Sequence, residues 1–147
     1  MLNDRWPRIV GRMAGYSGTP LVRKLGIKPF MRIATPGAPS EFAGLVDPLP
    51  DGVEWLSQVR APLDLAVAFF TRRADVTRRT PALQKALGPQ GALWVAWPKR
   101  SSGVATDLTE DGFRELVLPT GWVDNKVCAI DDTWSGLRFV MRKELRP

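Results

Sequence analysis

The sequence has no histidine and only one cysteine, Cys128, among its 147 residues. A single cysteine cannot form an intramolecular disulfide, and without histidine the common zinc, haem and histidine-base sites lack their usual ligands. These absences exclude many classes of enzyme. We therefore predict no metal site, and carboxylates, lysine and tyrosine remain as the available general acids and bases.

Long apolar runs are also missing from the chain. The most apolar stretch, residues 65–70, is much shorter than the roughly 20 residues that a membrane-spanning helix needs. The first residues, Met1 to Arg8, lack the apolar region of about 7–15 residues found in secretory signals. We therefore predict a cytoplasmic protein with no membrane role. Hydrophobic residues make up 44% and charged residues 24% of the chain, which is typical of a folded protein with one domain.

Positive charge is concentrated at the N-terminus. The formal net charge is +6, and the chain as far as Arg32 holds this entire excess, because only Asp4 opposes its basic residues there. Those basic residues are Arg5, Arg8, Arg12, Arg23, Lys24, Lys28 and Arg32. We predict a basic arm with a short helix over residues 1–29 and one domain over residues 30–147. The arm is suited to nucleic acid, phosphate or an acidic partner, and a merely solvated arm is the alternative.

Strand and helix patterns alternate along the rest of the chain. Thr19 as N-cap and Pro20 at the first helical position predict a short helix that ends at Gly26. Pro81 should break a helix over residues 71–87 near Thr80, and the pair Asp107 and Glu110 fits a capping box for a helix from residue 108 to 117. The further predicted elements are strands over residues 31–35, 53–57, 63–70, 92–97, 123–130 and 137–142 and a helix over residues 40–46.

This alternation predicts an α/β fold of three layers, with a mostly parallel sheet and a C-terminal antiparallel hairpin. The apolar runs at residues 65–70 and 92–96 should be adjacent, parallel and central. Residues 57–63 are too few for an ordinary parallel crossover. Either a helix has been lost there, or residues 53–57 form an antiparallel or irregular edge strand.

Three segments, residues 15–29, 93–99 and 134–139, resemble an uncharacterised bacterial family called domain of unknown function 3052. That resemblance implies a fold but no activity. A more distant similarity is to Rossmann-like methyltransferases that use S-adenosylmethionine. Residues 87–93 resemble the turn before the fifth strand of that class, and the closing hairpin resembles its last two strands. The similarity implies a Rossmann-like sheet and makes methyl transfer an alternative function, with Tyr16, Lys99 or Asp131 handling a substrate proton.

The residues that would recognise this cofactor do not match. That class usually opens with an acidic, glycine-rich turn and places a carboxylate after its second strand to hold the ribose. Here the first turn, residues 35–39, has one glycine and no acid, and the second predicted strand runs out at Ser57 and Gln58. We therefore expect no cofactor and weak or no binding of S-adenosylmethionine.

Ligands of open parallel sheets bind outside the carboxyl ends of the strands. The loop over residues 97–103 carries an aromatic ring, cations and hydroxyls, which suits a phosphate or another anion. The candidate ligand-binding residues are Trp97, Lys99, Ser101 and Ser102 from this loop and Asp131 and Trp134 from the hairpin turn. Ser17 and Thr19, before the first helix, form a second candidate anion site.

Each candidate also has a structural interpretation. Trp97 can pack beneath a solvated loop, Thr19 can simply cap its helix, and Asp131 can form a hairpin corner. Cys128 is typical of a buried apolar filler, and Trp55, Trp94 and Trp122 are expected in the core. The residues favour a non-catalytic or degenerate methyltransferase-like module that binds an anionic small molecule or partner.

Overall fold

A six-stranded mixed sheet organises the chain in a computed structural model that describes residues 18–147. The strands are β1 (Arg32–Ala34), β2 (Glu54–Leu56), β3 (Leu65–Phe69), β4 (Ala92–Pro98), β5 (Trp122–Ala129) and β6 (Trp134–Met141). The α-helices are α1 (Leu21–Leu25), α2 (Phe42–Leu45), α3 (Arg73–Leu87) and α4 (Glu110–Val117). Short 3₁₀ turns cover Arg100–Ser102, Leu118–Thr120 and Lys143–Leu145. No helix among these residues has the length and apolar character needed to cross a membrane.

The strand order is β2-β1-β3-β4-β6-β5. Strands β2, β1, β3 and β4 run parallel, and β6 lies antiparallel between β4 and β5. Every residue of β3 and β4 is buried, as expected for strands that are covered on both faces. The predicted α/β class, the C-terminal hairpin and the central position of residues 65–70 and 92–96 are therefore confirmed.

The two faces of the sheet carry separate apolar layers. On one face, α3 and α4 pack against the sheet around Phe113, and on the other face α1 and α2 pack around Phe42. The indole Nε1 of Trp94, at the centre of β4, donates a buried hydrogen bond of 2.8 Å to the backbone oxygen of Leu25 in α1. This bond and the buried Leu21 and Leu25 fix the short first helix to the sheet.

The structure excludes an antiparallel direction for the second strand, which the sequence had left open. It pairs with β1 in parallel register, with Ile33 opposite Trp55, so an antiparallel edge is wrong. Residues 57–64 cross from β2 to β3 without a helix. This connection runs on the side of α3, where the Leu63 amide donates to the Ala86 oxygen at 2.9 Å.

The predicted break in the long helix is also wrong. Helix α3 continues through Pro81, which lies on its exposed side. A proline removes one amide donor from the helical ladder but need not end a helix that tertiary contacts hold on both sides. Here Val76 and Leu83, before and after Pro81, are both buried against the sheet.

Two helix starts differ from the predicted ones. Helix α4 begins at Glu110, and its N-cap is Thr109, whose Oγ1 accepts from the Gly112 amide at 2.9 Å. The Asp107 carboxylate instead accepts from the amide of Arg73, the first residue of α3, at 2.8 Å. Helix α1 begins at Leu21, one residue later than predicted, with Pro20 as its N-cap.

Candidate functional site

A cleft opens at the carboxyl ends of β1 and β2. The strand order reverses next to it, because β2 lies on one side of β1 and β3 lies on the other. In open α/β sheets, ligands bind outside the carboxyl ends of the strands near such a reversal. The cleft has a volume of about 480 Å³ and is lined by residues 34–38 and 55–59. We call it the carboxyl-end cleft.

The turn after β1 forms one wall of this cleft. The Ala38 amide donates to the Thr35 oxygen at 3.1 Å, and the Phe69 amide donates to the Pro36 oxygen at 2.9 Å, which ties the turn to the end of β3. Gly37 has a φ of +77°, and a Cβ added there would lie 2.7 Å from the Phe69 oxygen. Only glycine allows this close approach, so the wall is fixed by backbone geometry.

The opposite wall is the indole of Trp55. Its Nε1 donates to the Thr35 hydroxyl at 3.0 Å, and 37% of the residue is exposed. The prediction that Trp55 fills the core is therefore wrong, because β2 is an edge strand with a wet face, whereas Trp94 and Trp122 are buried as predicted. An isolated tryptophan in a short alternating strand gives no sequence signal that separates a cleft wall from core.

A row of aromatic rings runs from this cleft across the face of the sheet that α1 and α2 cover. Trp55 meets Phe42 edge to face at 6.3 Å between centroids, Phe42 meets Phe69 at 5.2 Å, and Phe69 meets Trp134 at 5.1 Å. Trp134, a predicted site residue, thus lies at the far end of the row from the cleft and is only partly exposed. We call these four rings the aromatic row.

None of the described residues that line the carboxyl-end cleft has an ionisable side chain. Its polar groups are the hydroxyls of Thr35 and Ser57 and the amide of Gln58. An adjoining cleft of about 470 Å³ shares Ser57 and Gln58 and adds the cation Arg60. The nearby acid at the start of β2, Glu54, forms an ion pair with Arg32 at 3.1 Å. Among the described residues, the charged side chain that lines these two clefts is therefore Arg60.

The loop of residues 97–103 and the hairpin turn are in contact. The Lys99 amide donates to the Thr133 oxygen at 2.7 Å. The Asp131 carboxylate accepts from the amides of Thr133 and Trp134, both at 2.8 Å, so it holds the corner of the hairpin. That engagement matches the structural interpretation of Asp131.

The other residues of this loop are spread over different environments. The Ser102 hydroxyl donates to the Lys99 oxygen at 2.6 Å and accepts from the Val104 amide at 3.2 Å. Ser101 is exposed, and Trp97 is buried with its ring 5.1 Å from that of Phe113 in the core. Trp97 therefore supports the loop from beneath, and ligand binding by Lys99 and Ser101 stays a prediction.

The second candidate anion site falls at the edge of the described chain. Ser17 lies outside the described residues. Thr19 precedes α1, a helix of only 5 residues. No group of three or more cysteine, aspartate or glutamate residues within 18–147 is placed to hold a metal ion.

No family model matches the chain, and no curated protein matches it, so the resemblance to the family called domain of unknown function 3052 stays a prediction. Solved structures do match. A SAM dependent methyltransferase from Aquifex aeolicus is 14% identical with a TM-score of 0.57, over 81% of this chain and 86% of that one.

Two further matches belong to the same class. Magnesium protoporphyrin IX methyltransferase from Synechocystis PCC 6803, with bound SAH, is 10% identical with a TM-score of 0.56, over 82% of this chain and 78% of that one. N-methyltransferase NodS from Bradyrhizobium japonicum WM9 is 13% identical with a TM-score of 0.55, over 84% and 93%. At these identities the matches show a shared fold, and this chain has the Rossmann-like fold of SAM-dependent methyltransferases.

Proposed function

We propose that this chain is a methyltransferase-like module that binds an anionic small molecule bearing a flat ring and does not transfer methyl groups. The ligand would occupy the carboxyl-end cleft. One observation carries the proposal: the cleft lies at the carboxyl ends of the strands, where open α/β sheets bind ligands, yet no carboxylate among residues 18–147 lines it, and the adjoining cleft holds the cation Arg60.

The groups around the cleft suit such a ligand. The Trp55 ring is partly exposed and is held in one orientation by its hydrogen bond to Thr35, so it offers a rigid face for stacking. Ser57 and Gln58 can donate to or accept from polar groups of the ligand. Arg60 supplies a planar cation that forms paired hydrogen bonds with a phosphate or carboxylate.

S-adenosylmethionine does not fit this lining. The molecule carries a sulfonium, an ammonium and a carboxylate group, and its ribose hydroxyls are commonly held by a carboxylate. The carboxyl-end cleft presents Ser57 and Gln58 after β2 in place of such a carboxylate, and Gly37 is the only glycine of the turn after β1. Arg60 could pair with the ligand's carboxylate, but the sulfonium and ammonium groups would meet no opposing charge among the described residues of this lining.

The proposal is tested by titration calorimetry with adenosine monophosphate, S-adenosylmethionine and S-adenosylhomocysteine. We expect binding of adenosine monophosphate, and Arg60→Gln should weaken it by about tenfold through loss of a charge-assisted hydrogen bond. Arg79→Gln, on the exposed side of α3, removes the same charge and should leave the affinity unchanged. Equal weakening by both variants, or no binding to the parent, would refute the proposed site.

The alternative is an S-adenosylmethionine-dependent methyltransferase, and the shared fold of the solved methyltransferases favours it. Micromolar binding of S-adenosylmethionine by the parent, reduced by Gln58→Ala, would establish this alternative. Transfer of a labelled methyl group by the same protein to a substrate pool would show that it is an enzyme.

A further inference from the structure

A further cleft lies at the opposite end of the sheet, where β3 and β4 begin at Leu65 and Ala92. Its volume is about 290 Å³. Helix α1 forms one side, and the paired strands β5 and β6 form the other. We call it the amino-end cleft. Among residues 18–147 it shares no lining residue with the carboxyl-end cleft.

Positive charge dominates the amino-end cleft. Among residues 18–147, the cations that line it are Lys24, Lys28, Lys126 and Arg138, and the one acid is Asp64. The Asp64 carboxylate already accepts from the Arg32 amide at 2.8 Å. None of the ion pairs found among residues 18–147 includes any of these four cations.

Two of the cations are held in place by neutral partners. The Lys126 Nζ donates to the Lys24 backbone oxygen at 2.8 Å, and the Arg138 Nη1 donates to the Asn125 amide oxygen at 3.1 Å. Lys126 and Arg138 are directly opposite each other in the β5 and β6 ladder, so their like charges repel across one face. Burial lowers the pKa of Arg138, because the guanidinium is partly removed from water with no carboxylate beside it.

The lining also indicates which part of a ligand would be recognised. Among residues 18–147, no aromatic side chain lines the amino-end cleft, so this part of the chain gives it no surface on which a base could stack. The amides of Gln90 and Asn125 add polar groups. Closely spaced cations with amide donors, in a cleft of this size, match a chain of a few phosphate groups.

We propose that the amino-end cleft binds an oligophosphate group through Lys24, Lys28, Lys126 and Arg138. This site is separate from the one proposed above and does not depend on it. The phosphates relieve the repulsion between Lys126 and Arg138 and give the half-buried guanidinium the counter-charge that it lacks. A nucleoside triphosphate presents such a group, whereas a nucleic-acid backbone presents single phosphates spaced by its sugars.

The experiment is a calorimetric titration of the full chain with inorganic tripolyphosphate at low and moderate salt. Binding should weaken as salt rises. Lys126→Gln and Arg138→Gln should each reduce the affinity by about tenfold or more. Lys85→Gln, an exposed lysine of α3 on the other face of the sheet, is the matched control and should have no effect.

A second measurement separates binding from folding. Arg138→Leu removes a partly buried cation without a carboxylate partner, so the melting temperature should stay the same or rise while tripolyphosphate binding is lost. No binding by the parent, or equal loss in Lys85→Gln, would overturn the proposal. A fall in melting temperature that accompanies the loss of binding would also overturn it.

Two further ligands identify the source of the phosphates. If adenosine triphosphate displaces tripolyphosphate from the parent and not from Arg138→Gln, the site binds a free nucleotide. If a single-stranded oligonucleotide displaces tripolyphosphate more strongly than adenosine triphosphate does, the site binds a nucleic-acid backbone. Tripolyphosphate binding that Lys126→Gln and Arg138→Gln leave unchanged would contradict the site. Arg60→Gln should leave all these affinities unchanged, so failure of one proposed site does not decide the other.

Discussion

Cys128 lies partly buried on β5, and its environment determines how readily its thiol ionises. Burial raises the pKa of the Cys128 thiol, and the ammonium groups of Lys24 and Lys126 offset part of that rise. The thiolate is the reactive form of cysteine, so a raised pKa lowers reactivity at neutral pH. This environment agrees with the sequence-based interpretation of Cys128 as an apolar filler.

Alkylation of Cys128 by iodoacetamide at pH 8 should be slower than alkylation of cysteine in an unstructured peptide. In Lys126→Gln the reaction should be slower still, because the loss of a nearby cation raises the thiol pKa further. The measurement is the alkylation rate against pH, whose midpoint reports the thiol pKa independently of access. A midpoint that moves to lower pH in the variant would contradict this account.

Individual polar residues at helix starts were predicted only in part. Asp107 and Thr109 are both good N-cap residues, and the local pattern favoured Asp107 because Glu110 follows at the capping-box spacing. In the structure, the Asp107 carboxylate accepts from the Arg73 amide, and Thr109 is the N-cap of α4. A contact between residues 34 positions apart decides between them, and local spacing carries no information about it.

At the scale of elements, the sequence predicted best those strands whose burial is complete. Residues of β3 and β4 are apolar almost without interruption, and only strands covered on both faces have that pattern. Strand β2 has three residues, of which two are exposed, so its sequence is too short and too weakly patterned to predict how it pairs. Its parallel direction is seen only in its pairing with β1.

Helix α3 gives a prediction about Pro81. In Pro81→Ala the new amide can donate to the Thr77 oxygen, and the exposed position means that no core contact is lost. We expect the free energy of unfolding to rise by up to about 3 kcal/mol, which is the cost of proline relative to alanine inside a helix. Urea denaturation measures it. Ala82→Pro, one residue further along the same helix, should lower stability, and a lower urea midpoint in Pro81→Ala would refute the explanation.

At the scale of the whole molecule, burial is uneven across the sheet. Strands β3 and β4 and the inward residues of β6 are enclosed between the two helical layers, whereas β2 and much of β5 lie at the edges with exposed residues. The clefts at both ends of the sheet are therefore bordered by buried central strands and by more exposed edge strands. The sequence predicted the central strands and a ligand site at the carboxyl ends of the strands. It did not predict the walls of the carboxyl-end cleft, which are formed by Trp55 and the turn that contains Gly37.

Native-state amide exchange should follow the same order. Amides of β3 and β4 should exchange slowest, near the rate set by global unfolding, and amides of β2 should exchange fastest among the strands. Mass spectrometry of peptides covering residues 54–56 and 65–69 gives the comparison. Equal protection of the two peptides would show that a further element covers the β2 edge in solution.

The helix-free connection between β2 and β3 has a consequence for redesign of this fold. Residues 57–64 are short, and Ala61 and Pro62 within them are exposed. Doubling the length of a flexible loop costs only about 0.6 kcal/mol in closure entropy. A helical segment inserted beside Ala61 should therefore lower the free energy of unfolding only slightly. It would add mass on the α3 side of the sheet and leave β3 and β4 unchanged. The connection is thus the natural place to graft new sequence onto this scaffold.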